Sequence, residues 1–227
     1  MQADLKQKDA VEATTPDPLP SVESVIEVAC ASVYCATSFR MVSHGSGQSV
    51  DMAGQALTRN LRSIMLTSSM AVDRYDIEGM SYETRLPTHL ASSAPGGPQQ
   101  VTYKSYVRQA PGTMGELFES MMSGLALTSQ NSTAAWATQG DREVVVITKS
   151  DPPAISVAFT ADAEHLPVQI RYGEDQVTWF TSWGEVPVFS APPRESDDRQ
   201  PGGHWSGIGE TNGPIAEVDP AQDSRLV

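Results

Sequence analysis

Between residues 38 and 86 the chain carries five strand-like segments in close succession, and the connections between them are too short for anything but hairpins. The segments run 38 to 44, 48 to 57, 61 to 69, 72 to 78 and 80 to 86, and a sixth follows at 101 to 107. A parallel crossover needs roughly a dozen residues or more, so strands this close in sequence pair antiparallel. Gly45-Ser46-Gly47 and Glu78-Gly79 provide two of the tight connections. Any fold for this chain must therefore contain a sizeable antiparallel sheet.

Ahead of these strands, Val22, Val25, Ile26, Ala29 and Val33 recur at helical spacing, with Glu23 and Glu27 on the other side. The pattern predicts an amphipathic helix over about 21 to 36, capped by Ser21, with its acids near the positive helix end. After a loop at Ala94-Pro95-Gly96-Gly97-Pro98, a second helix is predicted at about 112 to 126, where Met114, Leu117, Phe118, Met121, Met122 and Leu125 form an apolar stripe.

Four further strands are expected at 142 to 149, 154 to 161, 166 to 173 and 175 to 183, with a short one near 186 to 190. In Glu143-Val144-Val145-Val146-Ile147 both faces are apolar, which predicts a central strand covered on both sides. In the next pair, Val168, Ile170 and Tyr172 alternate with Gln169 and Arg171, and Gly173 makes the turn. Alternation then places Val177, Trp179, Thr181 and Trp183 on one face, two tryptophans together. Strands, a helix and more strands give an α+β domain rather than alternating βαβ units.

The 227 residues are 39% hydrophobic, enough for one core, and residues 21 to 192 are read as a single domain. Residues 1 to 20, with Thr14-Thr15-Pro16-Asp17-Pro18-Leu19-Pro20, suit a flexible linker. From Pro193 to Val227 the composition turns to Pro, Gly, Asp and Glu, as expected for a disordered acidic tail. A formal charge of -13 argues against nucleic acid and against stable electrostatic docking on an anionic membrane surface. No apolar run reaches the ~20 residues of a membrane span, and no basic segment followed by an apolar stretch marks a signal peptide at the start.

Catalytic chemistry finds little support. His44-Gly45-Ser46-Gly47 lacks the spacing of a nucleophile elbow and falls in a hairpin turn, where Gly and Ser are ordinary. His44, His89, His165 and His204 are too scattered to hold zinc, and no glycine-rich phosphate loop opens a helix. The expectation is a protein that is not an enzyme, with no cofactor and no metal. Cys30 and Cys35 within one helix would stand ~8 Å apart, beyond disulfide reach, whereas a Cys35 placed where the helix ends leaves a strained or intermolecular link open. Val28-Ala29-Cys30 is not a lipobox, because Glu27 stands where an apolar residue is required.

The closing segment resembles the LolA-like lipoprotein family of mycobacteria and other actinobacteria. Leu166-Pro167-Val168, Trp183-Gly184-Glu185 and Ala191-Pro192 match the family's ending, although Val186 separates Glu185 from Pro187. Gly79-Met80-Ser81-Tyr82-Glu83-Thr84-Arg85-Leu86-Pro87 resembles an upstream strand of the family, while Gly97-Pro98-Gln99-Gln100-Val101 lacks the tryptophan that often follows it. The likeness spans about residues 20 to 192. It implies a strongly bent antiparallel sheet, an incomplete barrel, with helices covering its concave face and a lipid cavity between the two.

It also implies export to the cell envelope and a lipid anchor on the full-length protein; the missing signal is then read as a trimmed mature form starting at an added Met1. The expected function is a monomeric, non-enzymatic carrier of lipid or glycolipid that contacts membranes transiently and can meet an envelope protein partner. The alternative is an envelope interaction or scaffold protein of the same fold with a filled core. Methionines on successive strands and on the facing helix point to a cavity that accepts varied apolar shapes. The expected wall residues are Phe39, Met41, Met52, Met65, Met80, Tyr82, Leu117, Phe118, Met121, Met122, Val157 and Phe159.

Overall fold

The computed structural model describes residues 18–87, 100–101, 103–107, 112–192 and 203–204. The expected linker (but for its last three residues), the loop expected at 94–98 and nearly all of the tail lie outside them. Helix α1 spans Val22–Cys35 and buries Val22, Val25, Ala29 and Val33. Ser21 caps it, its hydroxyl accepting from Ser24 N at 3.2 Å, an arrangement that contributes about 1 kcal/mol. Helix α2 spans Met114–Leu125 and opens on a reciprocal cap: Thr113 Oγ1 accepts from Glu116 N, and Glu116 Oε2 accepts from Thr113 N at 2.7 Å.

Eleven strands form one open antiparallel sheet. They are β1 (Ser38–Gly45), β2 (Gln48–Gln55), β3 (Asn60–Leu66), β4 (Met70–Ile77), β5 (Met80–Pro87), β7 (Lys104–Val107), β8 (Thr133–Gln139), β9 (Arg142–Lys149), β10 (Ile155–Thr160), β11 (Pro167–Tyr172) and β12 (Gln176–Thr181). The order across the sheet is β7-β5-β4-β3-β2-β1-β12-β11-β10-β9-β8, so it is not closed into a barrel. Two chain-local meanders are thus joined where β1 meets β12, with Met41 opposite Phe180. The hairpin turns are as expected, with positive φ at Ser46 and Gly47 and at Glu78 and Gly79. A separate ladder joins β6 (Gln100–Val101) to β13 (Gly203–His204), inside the segment read as a disordered tail.

Three local expectations change. Strand β8 is not foreseen by periodicity, because Thr-Ala-Ala-Trp-Ala-Thr-Gln has almost no apolar alternation; as the edge strand it leaves Trp136 42% exposed. Strand β9 is accordingly next to the edge rather than central, yet Val144 and Val145, on opposite faces, are both buried. No strand forms at 186 to 190. That segment crosses the sheet as a strap held by side chains: Val186 N donates to Ser38 Oγ, Gln55 Nε2 donates to Val186 O, and Asn60 both donates to Phe189 O and accepts from Phe189 N.

The two tryptophans also part company. Trp179 lies opposite Val42 and Gln169 and meets His44 edge-on at 5.5 Å. Strand β12 ends at Thr181, and Ser182 takes a left-handed φ of 56°, which breaks the alternation and turns Trp183 into the core. There the indole stacks on Phe39 with ring centroids 4.8 Å apart. A bulge between Ala158 and Phe159 likewise sets Pro167, not Val168, opposite Phe159.

Candidate functional site

The sheet has two unlike faces, and cross-strand register assigns residues to each. The face that shares a core with the helices carries Phe39 and Met41 of β1, Met52 of β2, Leu61 of β3, Val145 and Ile147 of β9, Val157 and Phe159 of β10, Ile170 of β11 and Phe180 of β12. From the helices come the buried residues of α1 together with Met114, Phe118, Met122 and Leu125; Leu117 and Met121 pack at its margin half-buried.

Part of this core is tightly filled. Phe118 meets Phe180 edge-on at 5.8 Å, and Phe39, Phe180 and Trp183 form a triangle of rings with centroids 4.8, 6.3 and 6.4 Å apart. Helix α2 is held close at its start: Gly115 N donates to Ala56 O at 3.2 Å, and a Cβ on Gly115 would come to 2.8 Å from that oxygen and run into the Tyr34 ring.

The same face is different over the middle strands. Met41 pairs with Met52, and Val50 pairs with Met65, which pairs in turn with Val72. All five belong to interior strands, yet Met41, Val50, Met52 and Val72 are only half-buried and Met65 is 38% exposed. On the opposite face of the same strands Asp51, Ile64, Ala71 and Asp73 are buried. A partly uncovered apolar strip, called the groove below, thus runs beside the packed aromatic end, and its Met41 and Met52 pack against the same core as Leu117 and Met121.

Of the twelve expected wall residues, nine meet around this one core: Phe39, Met41, Met52, Leu117, Phe118, Met121, Met122, Val157 and Phe159. Met65 reaches the same face through register, at the open end of the groove. Met80 and Tyr82 do not join them. Tyr82 pairs with Tyr75, which pairs with Arg62, and this row lies on the opposite face in a second cluster with Tyr103, Ile77 and Leu86. Alternation within β5 is sound, but which of its two faces points to the helices is not readable from the strand alone.

That opposite face holds a buried polar network. Arg62 Nε and Nη2 donate to the two oxygens of Asp73 at 3.0 and 2.9 Å, Tyr103 Oη donates to Asp73 Oδ2 at 2.8 Å, and the Arg62 guanidinium stands 5.1 Å from the Tyr75 ring centroid. Burial disfavours the Arg62 cation, but the Asp73 contacts outweigh it and the guanidinium is held more firmly protonated. Burial first, then the Asp73 charge, pushes the Tyr103 phenol far above its ordinary range, and Tyr75 moves the same way. Arg40 makes a parallel fork with Asp51 at 2.8 and 2.5 Å. Each cation here faces its own carboxylate, which describes a structural layer rather than a reactive one.

Both cysteines are free and both lie in α1; burial pushes the Cys30 thiol up, with the Glu119 charge adding to it. Such a thiol is a poor nucleophile. Among the described residues no group of His, Cys, Asp or Glu is gathered to hold a metal ion. No described helix is long and apolar enough to cross a membrane. A separate open cavity of about 380 Å³, lined wholly by polar residues such as Ser129, Asn131, Thr148 and Asp151, lies between the loop after α2 and the β9–β10 turn. No protein-family model matches the chain, and a search of curated proteins finds no match.

Proposed function

We propose that this protein is a non-enzymatic carrier of lipid or glycolipid in an actinobacterial cell envelope, holding acyl chains between its sheet and its helices. On this reading the sheet is strongly bent, an incomplete barrel with α1 and α2 over its concave face, and the full-length protein is exported, lipid-anchored and in transient contact with membranes. The observation that carries it is the groove of Met41, Val50, Met52, Met65 and Val72, left partly uncovered on interior strands where an ordinary core would be closed. Acyl chains burying about 400 Å² there would gain about 10 kcal/mol before the costs of association. Methionine suits chains of varied length and kink.

A second reading has its own support. The stack of Phe39, Phe180, Phe118 and Trp183 already fills the space under the helices at one end, as it would in an envelope scaffold or interaction protein of the same fold with a filled core. Native mass spectrometry of protein made in an actinobacterial host separates the two. Lipid co-purifying near one molecule per chain is the expected result; a bare protein mass from that host favours the scaffold.

A further inference from the structure

The helix-side face changes character along one cross-strand row. Met41 pairs with Met52, Met52 with Ser63, Ser63 with Arg74, Arg74 with Glu83 and Glu83 with Lys104, so the row passes from apolar through a hydroxyl to charge. Arg85 stands opposite Val72 in the adjacent row and so flanks the open end of the groove. These residues sit on neighbouring strands about 5 Å apart, and a single amphiphile lying across the strands spans both halves.

The charged half is not balanced. Arg74 is engaged by Asp76, its Nη2 donating to Oδ1 at 2.9 Å and its Nε 2.8 Å from Oδ2, and Ser81 Oγ donates to the same carboxylate. Arg85 Nε donates to Glu83 Oε1 at 2.7 Å, and the Arg85 side chain is 65% exposed. Lys104 is exposed beside Glu83. Among the described residues of this row and its neighbour, three cations (Arg74, Arg85, Lys104) stand with two carboxylates (Asp76, Glu83), in a chain where Asp and Glu outnumber Lys and Arg 28 to 15. A local excess of positive charge on so acidic a protein, placed at the mouth of an apolar groove, is complementary to one kind of ligand end.

We infer that Arg85 and Lys104 receive a phosphate group on the lipid whose acyl chains lie over Met41, Met52 and Met65. The inference rests on the carrier reading and adds the sign of the head group to it. It is compatible with the net charge, which opposes docking on a whole anionic membrane but is screened within ~8 Å at physiological salt and leaves a local patch free to act. An Arg fork and a Lys point charge are both suited to phosphate oxygens.

The test compares phosphatidic acid with diacylglycerol of the same chains, each titrated into the delipidated full chain and into the double variant Arg85→Gln, Lys104→Gln. Phosphatidic acid is expected to bind about tenfold more tightly than diacylglycerol to the parent, equivalent to ~1.4 kcal/mol. In the double variant that preference should fall to about twofold with diacylglycerol affinity kept, and raising salt from about 0.05 M to about 0.5 M should erode it in the parent. Equal affinity for the two lipids in the parent, or a preference that survives the double substitution, overturns the head-group assignment and leaves the carrier reading standing. Binding of neither lipid overturns both. Displacement of phosphatidic acid by an equal concentration of inorganic phosphate makes the patch a free-phosphate site and overturns the lipid assignment.

Discussion

Single residues divide the two faces, and Met121 and Met80 make the division measurable. Both belong to the methionine pattern visible in the sequence, but Met121 borders the groove and Met80 sits in the tyrosine cluster behind the sheet. On the carrier reading Met121→Trp should displace bound lipid with the unfolding midpoint nearly unchanged, because Met121 is only half-buried; Met80→Trp should leave lipid binding intact. Loss of stability of ~1 to 3 kcal/mol in the Met121 variant without lipid loss would instead show an overpacked, filled core. Tyr103 offers a test by pH. Its phenol pKa is raised on folding, so the stability it contributes is present below about pH 10, the unfolded value, and is lost as pH rises past it. Tyr103→Phe should flatten that alkaline fall in urea-unfolding stability, at a cost near neutral pH of about 1 to 2 kcal/mol from the lost bond to Asp73 Oδ2, which keeps Arg62 Nη2 as its remaining donor.

Among the elements, those with strong alternation or strong helical spacing are legible from the chain alone: α1, α2 and the strands from β1 to β5 fall within a few residues of expectation. Strand β8 is not, because alanine and threonine carry no burial signal and the strand is recruited by its neighbour's hydrogen bonds. The 186 to 190 strap fails for the opposite reason. Val186, Val188 and Phe189 look like a strand, but Pro187 removes a donor and the backbone is satisfied by Ser38, Gln55 and Asn60 side chains that no local pattern can pair with it. Asn60→Ala removes both bonds to Phe189, and the expected result is faster hydrogen exchange across 186 to 190 and a loss of ~1 to 3 kcal/mol, with the β1–β5 amides unchanged. Uniform acceleration across the sheet would show instead that the strap is integral to the core.

For the whole molecule, antiparallel pairing of consecutive strands follows from short connections, whereas the β1–β12 junction does not, since nothing local brings Arg40 opposite Thr181. Most of the candidate site depends on that junction: the groove lies on the β1 side and Val157, Phe159 and Phe180 on the other. Removing residues 193–227 should leave the eleven-stranded sheet intact, since β13 pairs only with β6 and lies outside it. A thermal midpoint within about 4 °C of the full chain is expected, equivalent to ~1 kcal/mol for a domain of this size.

The junction of β1 with β12 also makes this chain divisible. Each meander completes its own ladders from nearby sequence, whereas the ladder across the seam demands a far longer loop closure, so its formation is expected to be late in folding. Separate polypeptides carrying residues 18–107 and 112–192 should therefore recognise one another when co-expressed, zipping together along Arg40–His44 and Val177–Thr181 while α2 settles over β2. Co-purification of the two halves as a one-to-one pair is the expected outcome. If the carrier reading holds, the acyl chain would act in such a reporter as glue between the fragments, and ligand binding could be read as reassembly.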